Sequence, residues 1–201
     1  MTNQEIDPAL QAYFDDVADL QGIDQILSPE LEVLPPLERA LVYARSQLGI
    51  PYRMNVQYPL IGQYHDCSSL TQSAYNLALG LQDSGPKDHF ARTTINQGLY
   101  WGRFLEESEE PLPGDLYFYR TDSGYFNDSH FPNGVGHVAI YTGNGMAIHS
   151  AGDAGMVLEE KLESILASRV MLVGRKRVIE GEVYYHEDQV KPLSQLIGRV
   201  E

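Results

Sequence analysis

The chain predicts an α+β fold, with helices first and an antiparallel sheet second. Three observations carry that reading. Two stretches before residue 82 keep apolar residues at helical spacing. After residue 115 come short runs rich in aromatic and β-branched residues, separated by turn signals. One of these runs doubles back on itself through Gly-Asn-Gly. Helices followed by strands, rather than alternating with them, indicate a segregated α+β arrangement.

Residues 1–34 are acidic and weakly helical, with Leu10, Tyr13, Phe14, Val17 and Leu20 roughly on one face; they read as an N-terminal extension. "SPELEVLPP" (28–36) breaks that pattern. In "PPLERALVYARSQLG" (35–49), Leu37, Leu41, Ala44 and Leu48 keep helical spacing. Pro36 sits in the first turn and Gly49 follows the last residue, the expected start and stop signals. Residues 50–65 read as loop. "CSSLTQSAYNLALGL" (67–81) is the second helix, with Leu70, Ala74, Leu77, Ala78 and Leu81 as its apolar stripe. Asp66 or Ser68 caps it, so Cys67 falls in the first turn. Past "PLPGD" (111–115), the strands are "LYFYR", "GHVAIYTG", "MAIHSAG" and "RVMLVGRKRV". One folded unit over residues 35–180 is expected, followed by a tail (181–201) in which "QVKPLSQLIGRVE" reads as a short helix.

Composition removes whole classes of function. At 201 residues, 43% hydrophobic and 21% charged, the chain can bury a full core. A single cysteine rules out an internal disulfide and any multi-thiolate metal site. The net charge of −14 and pI near 4.7 oppose non-specific binding to nucleic acid or to an anionic membrane. The first 27 residues have no basic n-region and no apolar h-region, and no stretch approaches the ~18 apolar residues of a membrane span. The expectation is a cytoplasmic protein as synthesised, with delivery by a phage particle or a secretion machine as the other route. No nucleic-acid or membrane partner is expected; residues 1–34 read as a helix packed on the outside of the folded unit, with a segment that binds a protein partner or blocks its site as the alternative.

Each arm of the hairpin "GHVAIYTGNGMAIHSAG" (136–152) carries a histidine, His137 and His149. Side chains alternate along strands, so loop length decides whether the imidazoles share a face. A three-residue loop, 143–145, pairs Ala139 with His149 and puts both on one face. A two-residue Asn-Gly loop pairs Ile140 with His149 and separates them. The second glycine suits the left-handed position of a three-residue loop, so that loop is expected. A lone cysteine is ordinarily a small buried hydrophobe. A thiol at a helix N-terminus together with two imidazoles on one sheet face are instead the parts of a cysteine hydrolase: nucleophile, general base, and a group to orient the base.

The chain resembles the NlpC-type cell-wall endopeptidases, a papain-like family of bacterial cysteine peptidases. The resemblance runs from about residue 36 to residue 152. It rests on "GIPY" (49–52), "DCSSLTQSAY" (66–75), "ARTTINQG" (91–98), "PLPGDLYFY" (111–119), "GHVAIYTGNG" (136–145) and "AIHSAG" (147–152), in the family's order. It implies a papain-like α+β fold whose N-terminal helices carry the nucleophile and pack on an antiparallel sheet carrying the histidines. It implies Cys67 as nucleophile, His137 as general base and acid, His149 as the residue orienting it, and the N–H of Cys67 as an oxyanion donor. Tyr52, Asp66 and Ser68 match positions that bind substrate in relatives. The substrate implied is the peptide stem of peptidoglycan, usually cut between γ-D-glutamate and the diamino acid. No cofactor and no metal are implied; a zinc ion held by Cys67, His137 and His149 is the alternative those residue types allow.

Three departures bear on the substrate. Ser69 replaces the usual glycine of Asp-Cys-Ser-Gly, paired glycines are missing from "PYRMNVQYPLIGQYHDC" (51–67), and "TDSGYFNDSHFPNGV" (121–135) is longer than usual and reads as a loop over the cleft. Other papain-like readings keep the residues and change the target: an amidase, acyltransferase or toxin, or a binding module without catalysis. His65, His89, His130 and His186 read as exposed loop residues, His65 and His130 at the cleft rim. The acid run "RFLEESEEPLPGD" (103–115) reads as solvated surface, and "GRKRV" (174–178) as an exposed strand edge where charge discourages aggregation.

Overall fold

The computed structural model describes residues 36–56, 60–78, 102–122, 126–128, 131–178, 182–184 and 190–192. The acidic extension, "ARTTINQG", His89, His130 and His186 lie outside the described residues. The two expected helices are present as α1 (Pro36–Ser46) and α2 (Cys67–Ala78). Gly49 takes a positive φ of 84° just past α1, the backbone state that ends a helix cheaply only at glycine. No helix among the described residues is long and apolar enough to cross a membrane.

Among the described residues ten strands follow, six of them in one antiparallel sheet. These six are β1 (Arg103–Phe104), β2 (Leu116–Arg120), β5 (His137–Gly143), β6 (Met146–Ala151), β7 (Met156–Lys161) and β8 (Met171–Arg177), in the order β1-β8-β2-β5-β6-β7. The "TDSGYFNDSHFPNGV" segment is not simply loop: β3 (Phe126–Asp128) pairs with β4 (Phe131–Val135). In the tail, β9 (Glu182–Tyr184) pairs with β10 (Val190–Pro192), so the expected terminal helix gives way to a strand over those three residues.

Alternation along the strands splits the core in two. Leu116, Phe118, Val138, Ile140, Ile148 and Val157 face α1 and α2, closing on Ala40, Leu41, Ala44, Leu70 and Ala74. Tyr117, Tyr119, Ala139, Tyr141 and Ala147 form the opposite face, covered by Ile165 and Leu162 of a short helix, α3 (Leu162–Ala167). Each fully buried Leu, Ile or Phe contributes about 1.5–3 kcal/mol, so the larger cluster dominates the tertiary stability. Strand β2 touches both faces and is buried along nearly its whole length, which explains why "LYFYR" reads as an unbroken apolar run.

The basic cluster lies inside the sheet rather than at its edge, because β8 is held between β1 and β2. Arg177 forks onto Asp115, with Nε and Nη2 donating to its two carboxylate oxygens at 2.8 Å each. Arg175 donates to the carbonyls of Glu106, Glu107 and Glu109, and Arg103 forks onto Glu109. The acid run is therefore partly bound by these arginines. Lys176 is buried with its ammonium 4.5 Å from the centre of the Phe104 ring. Asp115 also accepts from the N–H of Leu112, which folds "PLPGD" into the turn that launches β2. Gly114 is required there: its φ is 96°, and a Cβ would sit 2.9 Å from that of Leu37.

The hairpin loop differs from the expectation by an instructive route. Gly143 pairs with Met146, leaving a two-residue turn, Asn144-Gly145, with φ of 50° and 74°. That is the Asn-Gly turn favoured between antiparallel strands. The register then shifts between Tyr141 and Gly143, so Tyr141 pairs with Ala147 and Ile140 with Ile148. A bulge inserts the odd residue that a three-residue loop would have supplied. The pairing of Ile140 with Ile148 is the one that keeps the two histidines on one face. Gly143 carries the bulge at φ 104°, a conformation a β-branched residue resists. Gly143→Val is expected to lower unfolding stability by about 1–3 kcal/mol, read by urea denaturation; an unchanged midpoint would mean the bulge does not depend on this glycine.

Candidate active site

The thiol is positioned by a reciprocal cap. Asp66 precedes α2, and its Oδ1 accepts the N–H of Ser69 at 2.7 Å, while Ser69 Oγ accepts the N–H of Asp66 at 2.9 Å. This is a capping box with serine at the N3 position, worth about 1 kcal/mol to the helix. Cys67 is thereby the first residue of α2, where the helix dipole favours a thiolate. Ser69, the departure from glycine, is a working part of the cap. Ser68 is nearly buried, and its Oγ donates to Asp66 Oδ1 at 3.0 Å; Asp66 Oδ2 accepts the N–H of Val56 at 3.2 Å. Asp66 thus ties down helix and loop together.

His65 is not an exposed rim residue. It is completely buried, with Nε2 donating to Gln47 Oε1 at 3.0 Å and Nδ1 3.4 Å from Ser69 Oγ. Its carbonyl accepts Ser150 Oγ at 2.7 Å and the N–H of Arg53 at 3.0 Å. One residue therefore joins the end of α1, the cap of α2 and strand β6. Burial pushes its imidazole down to about 4, so it is neutral at physiological pH. The pattern-free loop 50–65 offered no periodic signal for this.

Cys67 Sγ reaches the carbonyl of Gly136, the residue before His137, at 4.0 Å. The tip of α2 therefore meets the residue just before β5. His137 Nε2 lies 2.8 Å from His149 Nδ1, and His149 Nε2 lies 2.8 Å from Glu160 Oε1. Glu160 escaped sequence reading because β7 and α3, "MVLEEKLESILA", carry no aromatic or turn signal. Its place follows from register alone. Ala147 pairs with Glu160 and His149 with Leu158, which puts Glu160 diagonal to His149 on one face.

This chain of contacts determines where the protons sit. A carboxylate only accepts, so His149 Nε2 carries a hydrogen and donates to Glu160. Neutral His149 then accepts at Nδ1, so His137 donates from Nε2, and its Nδ1 is left as a lone pair. Burial lowers the affinity of His137 for a proton well below the usual range, assisted by His149 and by the Arg169 guanidinium. His149 is also lowered by burial, against the pull of Glu160. Both imidazoles are neutral at neutral pH, with one basic nitrogen available at His137.

Tyr52 stands beside this group. Its phenol is pushed up by burial, then by negative charge on Cys67 and Asp66, and is drawn back by Arg169. Its N–H bonds the carbonyl of Gly155, and its ring lies over Gly152, where a Cβ would come within 3.3 Å of it. The structure thus gathers Tyr52, Asp66, Cys67, Ser68, His137 and His149 around the junction of α2 with the sheet. It adds Glu160 and Arg169. Among the described residues no cluster of His, Cys, Asp or Glu is arranged to hold a metal ion.

A thiol-bearing helix tip set against a histidine-bearing antiparallel sheet defines a papain-like fold. A family model for NlpC/P60 matches residues 49–175, well over half of the chain. The chain belongs to the NlpC/P60 family, whose members are cysteine peptidases or hydrolases. A search of curated proteins gave no match. Among solved structures it is similar to NlpC2 of Trichomonas vaginalis, at 26% identity and TM-score 0.53, covering 80% of this chain and 50% of that one. The P60 domain of antigen MAP1204 from M. avium subspecies paratuberculosis shares its fold at 23% identity and TM-score 0.51, covering 72% of this chain and 96% of that one. So does the NlpC/p60 domain of the peptidoglycan hydrolase SagA, at 20% identity and TM-score 0.51, covering 71% and 98%. The chain spans about half the length of the two T. vaginalis structures it matches.

The buried imidazole at the centre of this junction makes the site acid-sensitive. Unfolded, His65 takes a proton near 6.5; folded, only near about 4. Between those values the unfolded state binds more protons, so stability present above pH 6.5 is lost as pH falls toward 4, by roughly 3 kcal/mol at most. His65→Gln is expected to flatten that part of the stability-versus-pH curve, measured by urea melts from pH 7.5 to 4. An unaltered slope would show that His65 titrates normally in the fold.

Proposed function

We propose that the chain is a cysteine hydrolase cutting an amide bond in peptidoglycan stem peptides, between γ-D-glutamate and the diamino acid. The observation that carries the reading is the Glu160–His149–His137 hydrogen-bond chain, which ends one residue from the Gly136 carbonyl that Cys67 Sγ reaches. In this reading His137 Nδ1 takes the thiol proton, and the thiolate attacks the carbonyl carbon. The tetrahedral oxyanion is held by the N–H of Cys67, at the positive N-terminal end of α2. His137 then returns its proton to the leaving amine, and the C–N bond breaks to leave a thioester. Water, deprotonated by the same nitrogen, releases the acid and restores the thiol. His149 orients His137 and, backed by Glu160, stabilises the transient imidazolium.

Family membership supports the chemistry, and the peptidoglycan hydrolase SagA, which shares the fold, supports the substrate class. Tyr52, Asp66 and Ser68 are assigned to the acyl-donor side, next to the thiol. Asp66 Oδ2 accepts the N–H of Val56, and a carboxylate oxygen has capacity for a substrate amine besides. The net charge of −14 favours soluble wall fragments over an intact polyanionic wall.

Intact sacculi, soluble muropeptides and free stem peptides, each digested with wild type and with Cys67→Ala, test this by mass spectrometry. Cleavage after γ-D-glutamate in the soluble peptides, lost by at least about 10³-fold in the variant, is expected. Cleavage elsewhere, or equal cleavage by both proteins, would refute the assignment of bond or of nucleophile. Absence of any product alongside a thiol that alkylates rapidly would transfer the same chemistry to another substrate.

A further inference from the structure

Arg169 follows α3 on the sheet face that carries His137 and His149. Its side chain is only 10% exposed. Two other arginines among the described residues hold carboxylates in two-point forks: Arg177 on Asp115, and Arg103 on Glu109. Arg169 lacks such a fork. Its Nη1 donates to the carbonyl and Oγ of its own neighbour Ser168, and its Nε is buried and donates to no described group. The nearest carboxylate oxygen, on Asp153, is 3.7 Å from Nη1, too far for a hydrogen bond, and that side chain is 60% exposed. An ion pair so long and so wet holds its cation weakly.

The direction in which this cation acts is given by the groups that feel it. Its charge reaches Tyr52, Tyr119, His137 and His149. Tyr52 in turn feels negative charge on Cys67 and Asp66. The phenol thus feels the thiol, a carboxylate and a guanidinium together. A buried donor with no acceptor is a cost that a bound anion would remove.

We infer that Arg169 is a specificity-determining residue that binds a carboxylate carried by the acyl-donor residue of the substrate, in place of its loose contact with Asp153. A fork of Nε and a terminal nitrogen matches a carboxylate in two-point geometry, as at Asp115. This rests on the proposed function and deepens it. A glutamate joined through its γ-carboxyl keeps a free α-carboxylate at the far end of its side chain, four bonds from the attacked carbonyl carbon, whereas an α-carboxamide at that position offers no charge.

Two reagents separate this inference from the peptidoglycan reading. Iodoacetate and iodoacetamide both alkylate Cys67, and their rate ratio cancels the thiolate fraction while reporting recognition of a carboxylate close to the attacked carbon. The ratio is expected to fall by about tenfold or more in Arg169→Gln, with Arg169→Lys intermediate because it keeps the charge and loses the fork. In parallel, stem peptides bearing glutamate α-carboxylate or α-carboxamide are offered to wild type and Arg169→Gln. The preference of wild type for the carboxylate is expected to collapse toward unity in the variant. An alkylation ratio that does not move in Arg169→Gln overturns the inference. A ratio that falls while the peptide preference persists overturns its assignment to the acyl donor. If the ratio falls but wild type cuts neither peptide, the carboxylate site stands and the peptidoglycan substrate does not.

Discussion

The site depends on one carboxylate, Glu160, and on what a carboxylate cannot do. It has no hydrogen to donate, so it holds His149 in the Nε2–H tautomer, and His149 in turn holds His137 in the same form. The basic nitrogen left over is the one on the far side of the His137 ring from His149. A ring that donated from the other nitrogen would have no lone pair to offer a thiol. Burial contributes the second constraint by keeping both rings neutral, so the relay is ready to receive a proton rather than already holding one.

Getting thiol and relay to the same place is a matter of two junctions. The capping box between Asp66 and Ser69 fixes where α2 begins, and His65 fastens that beginning to α1 and β6. On the sheet side, the bulge at Gly143 keeps His137 and His149 on one face despite a two-residue turn. The arginine-rich strand β8 sits further back, where forks to Asp115 and Glu109 anchor the "PLPGD" turn and hence the start of β2. Charge that looked like surface decoration is spent on joining the acid run to the sheet. Arg169, just after α3, has no such fork.

Much of this was legible from patterns that physics ties tightly to structure. Helical spacing around Leu41 and Leu70, proline and glycine at the ends of α1, and the aromatic alternation of "LYFYR" each have one plausible outcome. The hairpin histidines were placed on the correct face by parity, although the odd residue came from a bulge rather than from the loop. A strand's register counts residues and does not reveal where the extra one resides. What escaped were residues whose role is set by tertiary pairing. Glu160 lies on an edge strand of mixed polarity, and its meaning appears only when β6 and β7 are paired. His65 sits in a loop without periodicity, and its burial follows from three elements converging on it. The basic run 174–178 was placed on an edge because position within a sheet is not written in the strand's own sequence.

Histidine side-chain ¹⁵N NMR on selectively labelled protein at neutral pH tests the relay most directly. The predicted result is neutral Nε2–H imidazole at both His137 and His149. A hydrogen on Nδ1 of His137, or a His149 already charged, would contradict the account.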